Sequence, residues 1–228
     1  MRLLSFLILL AFLLAINLGA NSLTYFLIKN SITSWTFAKL TPSLLTVIGS
    51  ASLGLGLFKF IKQSNLLRIT IGVLIPAFII VAFLSINKPY IEDYAKMGNE
   101  ISNLDNTIIN EHIDRNLNYS GLILIASSSC PHCMSSAEKL SILKDRVPER
   151  NVDIYLFTTK QEVIEEFTRD TRSENLTYHT VHDEDAALDL CDSRFPAFIY
   201  VKDGVPVRRW FNNDFGYPAY DWVEAGLE

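Results

Sequence analysis

The chain has 228 residues, 49% of them hydrophobic, which is enough for a sizeable core, but its charge is split rather than mixed. Met1 to Ile91 carries seven Lys and Arg and no acid, while Glu92 to Glu228 carries all 25 acids beside 13 bases, so parts of +7 and −12 make the net of −5. A break of that size marks a domain boundary, and the acidic second part excludes a nucleic-acid binder, which needs clustered basic surface.

The first uncharged run, 3–28, predicts a membrane helix, since the ~30 Å hydrocarbon core takes about 20 residues. A second run, 40–58, is rich in small residues, which suits close helix packing in lipid. A third, 69–86, contains Pro76, a feature that membrane helices tolerate. Three such runs in succession argue against the buried helices of a soluble core. Lys59, Lys62 and Arg68 mark the connection between the second and third runs as cytoplasmic, although Lys29, Lys39 and Lys88 stand on the other side. The small residues of "NLGANS" also offer a signal-peptide cleavage site after the first run. With three spans and an inside N-terminus, or two and an outside one, everything after Ile91 lies outside the cytoplasm. The expectation is a multi-pass inner-membrane region, 1–90, in contact with lipid.

Residues 91–100 read as a polar linker. In 101–117, Ile101, Leu104, Ile108 and Ile109 have helical spacing. "GLILIAS", 121–127, is an apolar run between turn signals and predicts a buried strand. A helix follows over 131–147, with Cys133, Ala137 and Leu140 on one face. Residues 152–159 read as a strand, 160–170 as a helix, and 183–191 as a short helix whose early acids suit its dipole. Residues 197–211 read as two strands joined by Asp203-Gly204, a strong hairpin signal. A helix over 218–227 closes the chain. This order predicts a domain, 101–228, with a small mixed parallel and antiparallel sheet covered by helices. His112, His179 and His182 read as surface residues, Trp210 and Phe211 as packing, and Cys191 as a small buried hydrophobe.

Chemistry concentrates in "SSSCPHCMSS", 127–136. A strand ends near Ser127 and a helix begins near Pro131, so Cys130 falls at a helix N-terminus, where free N–H groups and the macrodipole favour a thiolate. Pro131 fits the first helical turn, where its missing N–H costs nothing. Cys133 follows one turn later on the same face, within reach of a disulfide with Cys130. His132, between them, can add charge or a hydrogen bond to the thiolate. At this level three readings stay open: a redox pair, a structural disulfide, and a metal site. A closed zinc site needs four ligands; Cys130, Cys133, His132 and Cys191 are the donors at hand, and no second CxxC or HxxxH exists.

Two separated motifs, "LILIASSSCPHC" and "RFPAFIYVKDG", make the chain resemble the thioredoxin superfamily over roughly 101–228. The resemblance implies a thioredoxin-like fold and a thiol–disulfide oxidoreductase that exchanges disulfides with partner proteins, needs no cofactor and no metal, and has an electron partner of its own. Cys130, Cys133 and His132 would be its catalytic residues. Pro196 would be the cis-proline facing them, with Phe195 and Pro131 completing the substrate contacts. The CPHC sequence is similar to that of DsbA, yet about 60 residues between Cys133 and Pro196 leave no room for that family's helical insertion. Leu124 stands where the superfamily often carries a buried proton-shuttling acid, and Ser129 where an aromatic is usual. The whole layout is similar to DoxX-like membrane proteins with thioredoxin-like tails, which implies a second reading: a membrane-complex subunit whose tail is a redox-sensitive docking module.

Overall fold

The structure, a computed structural model, describes residues 2–60, 65–87, 99–100, 119–181, 185, 188, 191–211 and 214–226. It divides into two compact units, Met1–Ile91 and Glu92–Glu228.

The first unit is helical: α1 (Arg2–Lys29), α2 (Trp35–Phe60) and α3 (Asn65–Asn87). Two helices, over Leu7–Lys29 and Trp35–Phe58, are long and apolar enough to cross a membrane, whereas the apolar stretch of α3, Ile69–Ser85, is shorter. Among the described residues, two membrane-capable helices therefore stand where the sequence suggests three spans. The outward faces of these helices and of α3 are apolar, with Leu18 of α1 and Phe78 of α3 83% and 73% exposed, a surface suited to lipid.

Two helix prolines explain how this unit packs. Pro42 has no N–H to give Ala38 O, four residues earlier. The Thr24 hydroxyl of α1, bonded to Ala20 O at 2.9 Å, also reaches Ala38 O at 3.4 Å. Pro76 likewise leaves Gly72 O without its helical donor. Gly54 of α2 lies against that carbonyl, and a Cβ on Gly54 would stand 2.6 Å from it. Only glycine permits so close an approach of α2 to α3.

The second unit is built from β1 (Asn99–Glu100), β2 (Gly121–Ala126), α4 (Pro131–Arg146), β3 (Asn151–Leu156), α5 (Gln161–Thr171), β4 (Thr177–Thr180), β5 (Ala197–Lys202), β6 (Val205–Phe211) and α6 (Tyr217–Ala225). The sheet order is β1-β6-β5-β2-β3-β4. β2, β3 and β4 run parallel, and β5 and β6 are antiparallel to their neighbours. The sheet is therefore mixed, as the sequence predicts. The β2–α4–β3 unit, the β5–β6 hairpin and α6 make the arrangement that the thioredoxin-like resemblance implies. β2 is central and buried throughout, which its uninterrupted apolar run explains.

The pleat sorts the core onto two faces. Ile123, Ile125, Tyr155, Ala197, Ile199 and Phe211 share one of them with Cys191. On the other, Phe198 stacks on Phe215 at 4.1 Å, and Tyr200 and Trp210 meet Trp222 of α6 edge-on. Arg146 of α4 holds Glu224 of α6 through Nε and Nη2, at 2.8 to 3.1 Å.

Two strands escape the sequence reading. β4 is a short, polar edge strand held by its parallel pairing with β3. β1 lies within the stretch read as a linker and pairs with Arg208 and Arg209 of β6. His179, expected as a plain surface residue, is half-exposed, stacks on Tyr155 at 4.5 Å, and sets its Nε2 2.8 Å from Asp153 Oδ1. The parallel register places Tyr155 opposite His179, which explains the contact. The helix expected over 101–117, His112 and His182 lie outside the described residues. Of 183–191, Asp185, Leu188 and Cys191 are described, and each is helical.

Candidate functional site

The strand that ends at Ala126 passes through Ser127, Ser128 and Ser129 to Cys130, the N-cap of α4. Cys130 keeps an extended backbone, φ −92° and ψ 113°, and its Sγ accepts the Cys133 N–H at 3.3 Å. Its N–H donates to Ser127 O at 3.2 Å, and its carbonyl accepts the Met134 N–H at 3.1 Å, the first bond of the helix. Pro131 occupies the first turn, where no donor is needed. The thiol of Cys130 thus does what a serine or aspartate oxygen does at other helix starts: it satisfies one of the orphan N–H groups.

Exposure separates the two cysteines. Cys130 is half-buried, and Pro131 and His132 are exposed. Cys133 is wholly buried and heads the stripe that continues through Ala137 and Leu140. Burial pushes the Cys133 thiol far above the ordinary thiol range, the adjacent Cys130 sulfur adds to the rise, and a backbone hydrogen bond from Ser127 opposes it. All three cysteines are free thiols.

The second sequence motif arrives at the same end of the sheet. Antiparallel pairing sets Ile125 opposite Ala197, so Pro196 falls beside Ala126, where the chain leaves for Cys130. The Phe195–Pro196 peptide is cis. Phe195 meets Phe157 edge-on at 4.9 Å, and Phe157 N–H donates to Ala126 O at 2.9 Å. The register therefore brings the Phe195–Pro196 loop to the end of β2 from which the CPHC segment departs.

Cys191 goes elsewhere. It is buried among Ile123, Ala197 and Phe211, with Leu188 and Phe195 packed against that cluster, and its Sγ donates to Leu188 O at 3.4 Å. Burial raises its thiol too. Among the described residues, no group of three or more His, Cys, Asp or Glu is placed to hold a metal ion. Sequence reasoning missed the Asp153 carboxylate that receives both the Tyr119 hydroxyl and His179, and missed two arginines, Arg194 and Arg209, that flank the Phe211 ring. The signal for the second group is the Arg208-Arg209 pair and the Arg194 that immediately precedes Phe195.

No family model matches the chain, and no curated protein matches it. Two solved structures are similar to it. One is a secreted Mycobacterium tuberculosis disulfide oxidoreductase homologous to E. coli DsbE, 14% identical, covering 48% of this chain and 83% of that one, with a TM-score of 0.40. The other is the thioredoxin domain of a thiol-disulfide oxidoreductase from Bacteroides vulgatus, also 14% identical, covering 49% and 82%, with a TM-score of 0.38.

Proposed function

We propose that the chain is a membrane-anchored thiol–disulfide oxidoreductase whose α/β unit works outside the cytoplasm on the thiols and disulfides of other proteins. One observation carries this reading: a half-exposed thiol caps a helix, and a fully buried thiol one turn on donates its backbone N–H to that sulfur. The arrangement suits a nucleophile followed by a resolver. In the reducing direction the Cys130 thiolate attacks a partner disulfide. A bond forms between Cys130 Sγ and one partner sulfur, the partner S–S bond breaks, and the released partner thiolate takes a proton. Cys133 then gives up its proton and attacks Cys130 Sγ. The mixed disulfide breaks, the Cys130–Cys133 bond forms, and two electrons have passed to the partner. The oxidising direction is the same sequence reversed, and an external dithiol or disulfide resets the pair.

The parts around the sulfurs support these steps. The Cys133 N–H, 3.3 Å from Cys130 Sγ, is a helix-terminal donor to that sulfur as it becomes nucleophile or leaving group. His132 is exposed two residues further on, and in this reading it acts as a further donor. Leu124 is apolar and fully buried, so water or His132 takes the Cys133 proton in place of an internal carboxylate. Pro131, Phe195 and Pro196 receive the partner's extended segment. α1 and α2 cross the inner membrane and α3 completes the crossing, which leaves the α/β unit outside; a reporter fused after Glu228 that is active only in the cytoplasm then stays silent.

Cys133→Ser tests the chemistry. With the resolver removed, the full chain in detergent micelles accumulates a mixed disulfide through Cys130, seen by mass spectrometry and released by dithiothreitol. A variant that accumulates no such adduct with any disulfide, or forms it through Cys191, contradicts the proposal.

A further inference from the structure

We infer that α1 is a self-association surface: in the membrane two copies of this chain pair through its outward face, and the Asn21 amide of each meets that of the other. The inference rests on the reading above that α1 crosses the membrane. Asn21 lies three residues past the middle of the apolar span Leu7–Lys29, about 4.5 Å along the axis. It is exposed, so lipid surrounds it in a lone chain. Hydrocarbon offers no hydrogen bond, and an amide left unpaired there is costly.

Nearby polar side chains avoid that cost by folding back on the helix. Asn17 Nδ2 donates to Leu13 O at 2.7 Å, Asn30 Nδ2 to Phe26 O at 2.8 Å, and the Thr24 hydroxyl to Ala20 O at 2.9 Å, each four residues back. Asn21 makes no such bond, and among the described residues its amide has no partner.

Asn21 also stands on a seam. Leu7, Ala11, Leu14, Leu18, Asn21 and Tyr25 recur at alternating steps of four and three, the spacing of a coiled coil. The first five are exposed and Tyr25 is half-exposed, whereas the buried side of α1 meets α2, Leu13 at Gly49 and Thr24 at Ala38. Identical chains in one membrane share an orientation, so they pair parallel and in register, and equal positions face each other. An amide carries both donor and acceptor, which makes it complementary to itself. No charge between Leu3 and Ile28 opposes the pairing. A single asparagine in such a seam fixes its register and the number of strands.

In the test, copies of the full chain that carry a donor or an acceptor fluorescent protein after Glu228 are reconstituted together in phosphatidylcholine vesicles, and energy transfer is followed as lipid is added. The wild type shows transfer that saturates with protein density. Asn21→Leu weakens association roughly five- to tenfold, Asn21→Gln keeps part of it, and Phe26→Ala, at an exposed position off the seam, leaves it unchanged. Reaction of Cys130 with 2,2′-dithiodipyridine at the wild-type rate shows that each variant is folded. Wild-type transfer no greater than that of randomly placed copies, or association untouched by Asn21→Leu, overturns the inference and leaves the membrane and redox readings standing. A chain that alkaline carbonate strips from the vesicles overturns the membrane reading as well.

Discussion

Cys130 has two tasks, and two substitutions separate them. Its sulfur is the proposed nucleophile and also the acceptor for the Cys133 N–H at 3.3 Å. Cys130→Ala removes both. Losing an N-cap acceptor costs about 1 kcal/mol, within a range of roughly 0.5–2. Cys130→Ser removes the nucleophile but keeps an acceptor, because a serine hydroxyl is a preferred N-cap. Ala should therefore lower the stability of the α/β unit by about 1 kcal/mol relative to Ser, or about 3–5 °C in melting temperature for a unit of this size. Trp210 and Trp222 sit in that unit, buried against α6, and report its unfolding. The assay is thermal unfolding of the reduced full chain in micelles, followed by tryptophan fluorescence, with exchange activity measured in parallel. Both variants should lack exchange, and only Ala should melt early. Equal stability of Ala and Ser would show that the cap adds nothing, and the account of how α4 begins would be wrong.

Alkylation of the reduced protein should label Cys130 first, because Cys133 and Cys191 are wholly buried. Burial raises both of these thiols, so they hold their protons at neutral pH, and their labelling should rise only above the ordinary thiol range of about 8.5; mass spectrometry of early time points that found Cys133 modified first would contradict the assignment. Arg146→Ala leaves Glu224 without a bidentate partner whose side chain is only 7% exposed, and should cost about 2 kcal/mol in denaturant unfolding; a cost below a few tenths would mean that α4 and α6 are held by their apolar contacts alone. Gly54→Ala sets a Cβ 2.6 Å from a backbone oxygen and should destabilise the α2–α3 pair by about 1–3 kcal/mol, whereas Gly56→Ala, with nothing within 4 Å, should be neutral or stabilising. Equal tolerance at the two positions, in thermal unfolding of the micelle-bound chain, would contradict the close crossing.

What could be read in the sequence was local. An apolar run, three serines, a CPHC segment and a helical stripe through Cys133, Ala137 and Leu140 place Cys130 at a helix start without any distant information. Asp203-Gly204 between two apolar runs announces the β5–β6 hairpin in the same way. What escaped needed register. β4 is polar and short, and becomes a strand only because β3 offers it an edge. Asp153 and His179 are 26 residues apart and meet through that parallel pairing. Arg194 and Arg209 meet over Phe211 because β5 and β6 fold back on one another. In the helical unit, hydropathy showed where the helices lie. It did not show that Thr24 serves the carbonyl freed by Pro42, or that Gly54 makes room for the one freed by Pro76.

The central claim is that Cys130 and Cys133 interconvert between dithiol and disulfide as one two-electron couple. The most direct test equilibrates the full chain in micelles with mixtures of reduced and oxidised glutathione, quenches with an alkylating agent, and maps the disulfides by mass spectrometry. The account predicts a single transition with a two-electron slope, in which a tenfold change in the equilibrium constant corresponds to about 30 mV. Cys130 and Cys133 should be joined in the oxidised form, with Cys191 reduced throughout. A pair that never closes under the most oxidising mixture, or a disulfide that joins Cys191 to either of them, would contradict it.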